Sequence, residues 1–223
     1  MSVLTLVRHG QASFAGDRYD ALSPRGIAQA RALGAWWRER PTAWTAVLHG
    51  PRSRHIDTAA LMLDAAGVTL ALRLDPGLDE FAEGEEILAA AERHAGRPMA
   101  GPEAPAMADQ LKYYEAAYLA WVRGEIDLGE RAAYAAFRAR VRDWLDALMG
   151  QQGGGHNTLA VTSAGVICAL ACEVLGLDDT RWTELIRVLG NASVTEIVYS
   201  GSRSTLKSFN GTGHLPQGLG SGI

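Results

Sequence analysis

The chain has 223 residues, of which 48% are hydrophobic and 21% charged, and its formal net charge is -4. This composition is typical of one globular α/β domain, and it lacks the basic footprint of a nucleic-acid-binding protein. No apolar run is long enough to span a membrane, and the N-terminal run is too short for a secretion signal. The two cysteines, Cys168 and Cys172, imply no disulfide framework. We therefore expect a cytoplasmic protein with neither a membrane nor a nucleic-acid partner.

The first predicted element is a buried strand over Val3 to Val7, which ends at Arg8, His9 and Gly10. Ligands of α/β sheets bind beyond the carboxyl ends of the strands, so a reactive group is expected here. Gly10 would let the backbone turn sharply near a bound group. An imidazole beside a guanidinium suits attack on phosphorus, because the guanidinium can hold two phosphoryl oxygens. Such a triplet also occurs by chance, so the hypothesis depends on partners elsewhere in the chain.

The next segments repeat the pattern of strand, turn and helix. A helix is predicted from Ser23, as N-cap, and Pro24 to about Arg40. A second strand over Ala43 to Leu48 leads through a basic turn into another helix. Arg54 in this turn is predicted to be a second phosphate clamp, since a helix N-terminus adds positive potential for an anion. The alternative is a solvated basic turn.

A third predicted strand, over Val68 to Leu74, is followed by Glu80. A carboxyl group between apolar residues there would have a raised pKa and could protonate a leaving alkoxide. An exposed loop glutamate is the alternative, and four neighbouring acidic residues are equally available. They are Asp79, Glu83, Glu85 and Glu86. Residues from about 84–128 are predicted to form a lid over the site that sets substrate selectivity.

The C-terminal half completes the predicted sheet. A helix is expected over Glu130 to Met149, then a strand over Thr158 to Thr162 and an apolar helix that Ser163 would N-cap. A helix over about Thr180 to Leu189 and a terminal hairpin follow, and the Gly-rich tail from Asn210 is expected to be loosely held. We predict a single α/β domain over residues 1–223, with helices on both faces of a mostly parallel sheet and an antiparallel edge.

Six segments, in this order, resemble the signature motifs of the histidine phosphatase superfamily, also called phosphoglycerate mutase-like. They are residues 6–11 (LVRHGQ), 22–26 (LSPRG), 50–59 (GPRSRHIDTA), 78–80 (LDE), 191–194 (NASV) and 209–215 (FNGTGHL). The Arg-His-Gly match alone is moderately specific, whereas the ordered set is strong and extends over nearly the whole chain. The resemblance implies the phosphoglycerate mutase-like three-layer sandwich.

The resemblance also implies a phosphatase that hydrolyses a phosphomonoester through a phosphohistidine on His9. Glu80 would be the proton donor and later the base that activates water, while Arg8 and Arg54 would hold the phosphate. Further phosphate-binding positions are Gln11, Ser163 and Ala164. No metal or organic cofactor is implied, because side chains and N–H groups neutralise the charge. The partner implied is a small-molecule phosphate ester, and a homodimer is compatible with the sequence.

One position departs from the family pattern. The family usually carries a second histidine, which donates a hydrogen bond to the transferring phosphoryl group, where this chain has Ser163. Losing one preorganised donor typically costs about 2.7–4 kcal/mol, so catalysis is expected to be slow. Ser163 itself, a water, His49 or His55 could take the role. We expect His55 to pack beside its helix and His49 to lie at the rim.

Two further departures bear on function. Arg52 stands where the family tends to have an apolar residue, and it is either an extra substrate contact or exposed. Residues 81–84 do not resemble the corresponding loop of the mutases, which makes a phosphoglycerate mutase the less favoured interpretation. The main alternative to a phosphatase is a phosphate-ester binding or regulatory protein in which catalysis is degraded.

Overall fold

The computed structural model describes residues 1–13, 20–40, 42–99 and 101–222. These residues contain one sheet with six strands. The strands are β1 (Ser2–Arg8), β2 (Ala46–His49), β3 (Leu72–Leu74), β4 (Asn157–Thr162), β5 (Val194–Ser200) and β6 (Arg203–Gly211). Their order across the sheet is β3-β2-β4-β1-β5-β6. The four strands from β3 to β1 run parallel, and β5 and β6 add an antiparallel edge.

Seven α-helices connect these strands in the described part of the chain. They are α1 (Pro24–Arg38), α2 (Ser53–Ala66), α3 (Gly84–Ala95), α4 (Met107–Val122), α5 (Tyr134–Met149), α6 (Ala164–Leu175) and α7 (Asp179–Ile186). A short 3-10 turn, Pro76–Leu78, precedes the predicted acid segment. Within the described ranges, no helix combines the length and the apolar character needed to cross a membrane.

The side chains of the central strands enter two separate cores. Leu4 and Leu6 pack with the apolar residues of α5 and α6, whereas Val7, Leu159 and Val161 pack with those of α1 and α2. Because successive strand residues point to opposite faces, this alternation covers both faces of the sheet with helices. The prediction of an α/β three-layer sandwich is therefore confirmed.

Several predicted boundaries were wrong. Strand β3 pairs with β2 only through Leu72–Leu74, so the predicted strand from Val68 is too long. Strand β2 has only four residues, and a parallel partner at the sheet edge cannot pair beyond them. Helix α5 begins at Tyr134 instead of Glu130, since Gly129 has a left-handed φ of 63° and the chain turns there.

The predicted lid segment, residues 84–128, contains helices α3 and α4. Trp121 of α4 stacks on Phe81 with ring centroids 4.9 Å apart and is buried. Trp182 of α7 and Phe137 of α5 meet the same Phe81 ring. The aromatic residues of α4 therefore anchor this segment in the main core beside the predicted acid segment. Whether it acts as a lid stays a prediction.

The C-terminal tail is held by hydrogen bonds, which corrects the expectation of a loose tail. Gln29 Nε2 donates to Leu219 O at 2.9 Å and to Ser221 Oγ at 2.8 Å. The Ser221 hydroxyl donates to Asn191 Oδ1 at 3.0 Å, and Asn191 N donates to Ser221 O at 2.9 Å. Glycine content alone predicted mobility, but these contacts join residues that are far apart in sequence.

Replacing Ser221 with alanine is expected to lower the free energy of unfolding by about 1–3 kcal/mol, because the buried Gln29 and Asn191 side chains each lose a partner. For a chain of this size, the thermal midpoint should fall by roughly 2–4 °C per kcal/mol. Differential scanning calorimetry would measure the change. Ser202→Ala, in the exposed turn between β5 and β6, is the control, and equal midpoints for the two variants would contradict the expectation.

Candidate active site

His9 follows β1 directly and is buried at the carboxyl edge of the sheet. Its amide donates to Thr162 O at 2.9 Å, and its carbonyl accepts from Asn191 Nδ2 and Ala192 N, both at 3.2 Å. Its Nδ1 lies 2.7 Å from Gly10 O. A carbonyl oxygen only accepts, so Nδ1 carries the proton and Nε2 is the unprotonated nitrogen, which keeps its lone pair. This tautomer leaves Nε2 available as a nucleophile.

Burial and the nearby Arg54 and Arg8 guanidiniums lower the pKa of His9 well below its ordinary value of 6.5. Each of these effects disfavours a positive charge on the ring. The imidazole is therefore neutral at physiological pH, which is the form that can attack an electrophile.

The His9 imidazole is expected to remain neutral when the pH falls from about 7.5 to 5.5, across the ordinary titration range of histidine. An NMR titration of the ring C–H resonances, assigned with a His9→Ala variant, would measure this. The unfolded chain binds a proton in that range that the folded chain excludes, so stability should also decrease as the pH falls below 6.5. A midpoint near 6.5 for the His9 resonance would contradict the prediction.

Arg8, the last residue of β1, places a buried guanidinium beside His9. Its Nη1 donates to Leu189 O, while its Nε is buried without a hydrogen-bond partner among the described residues. Burial lowers the pKa of Arg8 to about 10, which Glu80 opposes, so Arg8 is still charged at neutral pH. A buried N–H without a partner is unfavourable, and an anion at this position would satisfy it.

Arg54 lies in the first turn of α2 and is also buried. Its Nη1 donates to Asp20 Oδ1 at 2.6 Å and to Glu83 Oε2 at 3.2 Å. The other Asp20 oxygen accepts from Ser53 N at 2.5 Å. A carboxylate thus bridges the N-terminus of α2 and the Arg54 guanidinium, which is the environment that binds an anionic oxygen. Both carboxylates use Nη1, so neither of them occupies Nε or Nη2.

Glu80 is 9% exposed and follows the 3-10 turn. Its Oε2 accepts from Gly165 N at 3.1 Å, and its Oε1 accepts from Phe81 N at 3.0 Å. Burial raises the pKa of Glu80 above its ordinary value of 4.5, although these two N–H donors and Arg54 oppose the shift. A Cβ atom at Gly165 would lie 2.3 Å from Glu80 Oε1, so this close approach requires glycine there.

Two arginines hold the loop that carries Glu80. Arg140 Nη1 donates to Gly77 O and Nη2 donates to Asp79 O, each at 2.7 Å. Arg52 Nε donates to Asp79 Oδ1 at 2.6 Å, and its Nη1 pairs with Glu83. The loop is therefore fixed from α5 on one side and from the turn before α2 on the other.

Ser163 is the N-cap residue of α6, as predicted, but its side chain makes no capping hydrogen bond. The Glu80 carboxylate accepts from Gly165 N in the first turn of α6 instead. Ser163 Oγ lies 2.6 Å from His55 Nε2. The rings of His55 and His9 have centroids 5.6 Å apart. Ser163 and His55 thus form a buried pair next to His9.

The sequence model of the family described as "Histidine phosphatase superfamily (branch 1)" matches residues 4–212. The chain belongs to this superfamily. The resemblance found in the motifs is therefore confirmed over nearly the whole chain.

One curated relative and two solved structures are similar to this chain over nearly its whole length. A curated relative from Hydrogenobacter thermophilus, named "Putative phosphoserine phosphatase 2", is 26% identical over 226 residues, which cover 97% of this chain and 99% of the relative. A phosphoglycerate mutase from Bacillus anthracis has a TM-score of 0.66 at 21% identity, with 96% and 94% of the two chains covered. A phosphoserine phosphatase from Entamoeba histolytica has a TM-score of 0.67 at 20% identity, with 97% and 100% covered. These likenesses confirm a phosphoglycerate mutase-like fold.

The site residues predicted for this histidine phosphatase lie along one edge of the sheet, and their roles stay predictions. They are His9, Arg8, Arg54, Glu80, Ser163 and Ala164. Gln11 is directed elsewhere: its N donates to Gln29 Oε1 at 2.8 Å, and its Oε1 accepts from Ser23 Oγ at 3.0 Å. Its Nε2 is the part that could still donate to a ligand.

The structure separates the acidic alternatives to Glu80. Asp79 and Glu83 are paired with Arg52, and Glu83 is also paired with Arg54. Glu86 forms a capping box at the start of α3 and bonds Arg131, and Glu85 lies in the same first turn. Across the described ranges, no group of three or more His, Cys, Asp or Glu side chains could hold a metal ion.

The expected positions of the two extra histidines were only partly right. His49 is buried instead of lying at the rim, and its Nδ1 is 2.8 Å from Gly50 O. His55 does belong to its helix, but its ring points to Ser163 and is fully buried. His49 is the last residue of β2 and His55 lies in α2, the helix that follows this strand, so both histidines lie near the carboxyl end of β2.

Sequence reasoning missed three contacts at the site. The carboxylates of Asp20 and Glu83 pair with the Arg54 guanidinium, and the Asn191 side-chain amide donates to the His9 carbonyl. The sequence could have indicated two of these residues, since Glu83 is one of the acidic residues near Glu80 and Asn191 is the first residue of the motif at 191–194. It gave no indication of Asp20, because no sequence pattern around this residue predicts that it lies beside α2.

Proposed function

We propose that this protein is a phosphatase that hydrolyses a small phosphomonoester through a phosphohistidine on His9. The observation that carries the proposal is the buried, neutral His9, whose Nε2 is unprotonated and whose pKa is lowered by burial and by the positive charges of Arg54 and Arg8. Membership of the histidine phosphatase superfamily and the relative named for phosphoserine phosphatase activity support the same chemistry.

In the first step, Arg8 and Arg54 hold the phosphoryl oxygens while His9 Nε2 attacks phosphorus. The new N–P bond forms as the P–O bond to the alcohol breaks, and Glu80 gives its proton to the leaving oxygen. The Glu80 carboxyl is suited to this role because burial raises its pKa. The Nδ1–H bond to Gly10 O disperses the positive charge that the phosphorylated ring acquires.

In the second step, water replaces the alcohol. The Glu80 carboxylate takes a proton from the water, whose oxygen attacks phosphorus as the N–P bond breaks. The electron pair returns to His9 Nε2, inorganic phosphate leaves, and Glu80 is protonated again. This cycle needs one carboxyl group that alternates between acid and base.

The position of Ser163 suggests slow turnover. A hydroxyl is neutral, so it stabilises the developing phosphoryl charge less than the second histidine usual in the family. Complete loss of one preorganised donor lowers rates by roughly 10²–10³ in enzymes of known mechanism, and replacing the histidine with a weaker donor should cost less than that. We therefore propose a phosphatase that is slower than relatives with two histidines.

A second candidate is a phosphate-ester binding or regulatory protein with degraded catalysis. The observation that favours it is the pairing of Arg54 with both Asp20 and Glu83, since these carboxylates compete with a phosphate for the guanidinium. Such a protein would bind phosphate or tungstate and release almost no product.

A single assay separates the two candidates. Wild-type protein and a His9→Ala variant are incubated with an aryl phosphate, O-phosphoserine and 3-phosphoglycerate, and the protein is then quenched in base. A phosphatase should release phosphate and carry a base-stable, acid-labile phosphoryl group on His9. Binding of tungstate without turnover above the variant on any ester would favour the second candidate and overturn the first.

A further inference from the structure

We propose that Ser163 and His55 together replace the second histidine of the family. In this arrangement the Ser163 hydroxyl donates to a phosphoryl oxygen, and His55 Nε2–H donates to Ser163 Oγ. Ser163 is then the catalytic residue, and His55 is a positioning residue that acts through it. The inference rests on the proposed phosphatase function and specifies how its site is completed.

The first support is the geometry of the pair. His55 Nε2 and Ser163 Oγ are 2.6 Å apart, a short hydrogen bond between two buried side chains. His55 follows Arg54 in α2, and Ser163 follows Thr162, whose carbonyl accepts the His9 amide. The two partners therefore come from the segments that also hold the phosphate clamp and the nucleophile.

The second support is the direction of the hydrogen bond. His55 Nδ1 is buried and has no partner among the described residues. It faces the Gly50 backbone so closely that a Cβ atom on Gly50 would lie 2.4 Å from it. A buried N–H without an acceptor is rarer than an acceptor without a donor, so the proton belongs on Nε2. Nε2 is then the donor, and Ser163 Oγ accepts.

The third support concerns the serine proton. When Ser163 Oγ accepts from His55, its own hydrogen needs another acceptor. Among the described residues, the bond to His55 is the one hydrogen bond of Ser163 Oγ. A phosphoryl oxygen held beside His9 supplies that acceptor. Two bonds in series polarise each other, so the hydroxyl becomes a stronger donor than an isolated serine.

His55 does not act as a second acid. Its Nε2 is occupied by Ser163, and burial together with His9 and Arg54 lowers its pKa well below the ordinary value. A neutral imidazole at this position orients the serine and carries no proton to the substrate. This feature distinguishes the pair from a relocated copy of the missing histidine.

The test is a double-mutant cycle on the whole protein with two readouts, kcat for an aryl phosphate and the dissociation constant of orthovanadate. Ser163→Ala should lower kcat by roughly 10²–10³-fold. His55→Leu, which keeps the bulk of the ring, should lower kcat by on the order of 10-fold, within the range for coupled neighbours, with KM nearly unchanged. Adding His55→Leu to Ser163→Ala should cause no further loss, and vanadate affinity should follow the same pattern.

His55→Gln is the conservative variant, because its side-chain amide can still donate to Ser163 Oγ. It should keep kcat within a few-fold of wild type. If His55→Leu does not fold, His55→Met, which likewise cannot donate to Ser163 Oγ, takes its place. Equal and independent losses at the two positions, or wild-type kcat and vanadate affinity in both His55 variants, would overturn the pairing while leaving the phosphatase intact. If wild-type protein shows no turnover, the function fails, and vanadate affinity alone decides whether the pair binds a phosphoryl-like anion.

Discussion

A His9→Ala variant is expected to lose turnover by on the order of 10⁶-fold, as happens when a covalent nucleophile is removed from other hydrolases. In the proposed mechanism the phosphoryl group must be carried on Nε2 of this ring. The neighbouring His55 cannot take its place, because its Nε2 is bonded to Ser163. The loss should fall on kcat, because Arg8 and Arg54 remain to bind the substrate.

The same variant should still bind inorganic phosphate, measured by isothermal titration calorimetry. His156→Ala is the matched control, since His156 precedes β4 at the opposite edge of the sheet and bonds Gln152 O. That variant should retain wild-type kcat. Persistent turnover in His9→Ala would remove the phosphohistidine from the mechanism, and loss of phosphate binding would show that the substitution disturbed the clamp.

The placement of His9 could be predicted because it depends on local sequence. An apolar run that stops at Arg8 and His9 defines a strand end, and parallel strands bring their carboxyl ends to one edge. The register aligns Arg8 with Thr162, so the residues that follow each strand, His9 and Ser163, are neighbours. Hydrophobic periodicity and turn residues were sufficient for this part of the site.

The pairings between side chains could not be predicted in the same way. Ser163 is a good N-cap by residue type, yet its hydroxyl bonds His55 across 108 residues of sequence, and Glu80 bonds the helix N-terminus. Arg54 likewise pairs with Asp20 across 34 residues. A side chain such as Ser163 can bond either the adjacent helix N-terminus or a residue distant in sequence. Tertiary packing decides between them, and the spacing of residues along the chain does not predict the result.

For the edge strand β3, the sequence predicted more hydrogen-bonded structure than the fold contains. Residues 68–74 alternate in a way typical of a strand, but only Leu72–Leu74 pair. Propensity describes what a segment can form, whereas the length of β2 decides how much of it finds hydrogen-bond partners.

A Glu80→Gln variant is expected to lower kcat for alkyl phosphates by roughly 10²–10⁴-fold, the usual contribution of a general acid. Glutamine preserves the size of the side chain, and its one amide oxygen can still accept from either Gly165 N or Phe81 N, but it cannot give a proton to the leaving oxygen. An aryl phosphate with a stable phenolate leaving group needs no acid, so its phosphorylation step should be much less affected.

This difference predicts a change in the rate-limiting step. Glu80 also serves as the base for water, so the variant should phosphorylate rapidly from the aryl ester and then release phosphate slowly. Rapid-quench kinetics should therefore show a burst of phenol equal to the enzyme concentration, with phosphoenzyme accumulating on His9. Glu130→Gln, at an exposed residue before α5, is the control and should behave as wild type. If the variant loses alkyl and aryl turnover equally and shows no burst, Glu80 is a structural group and another residue must supply the proton.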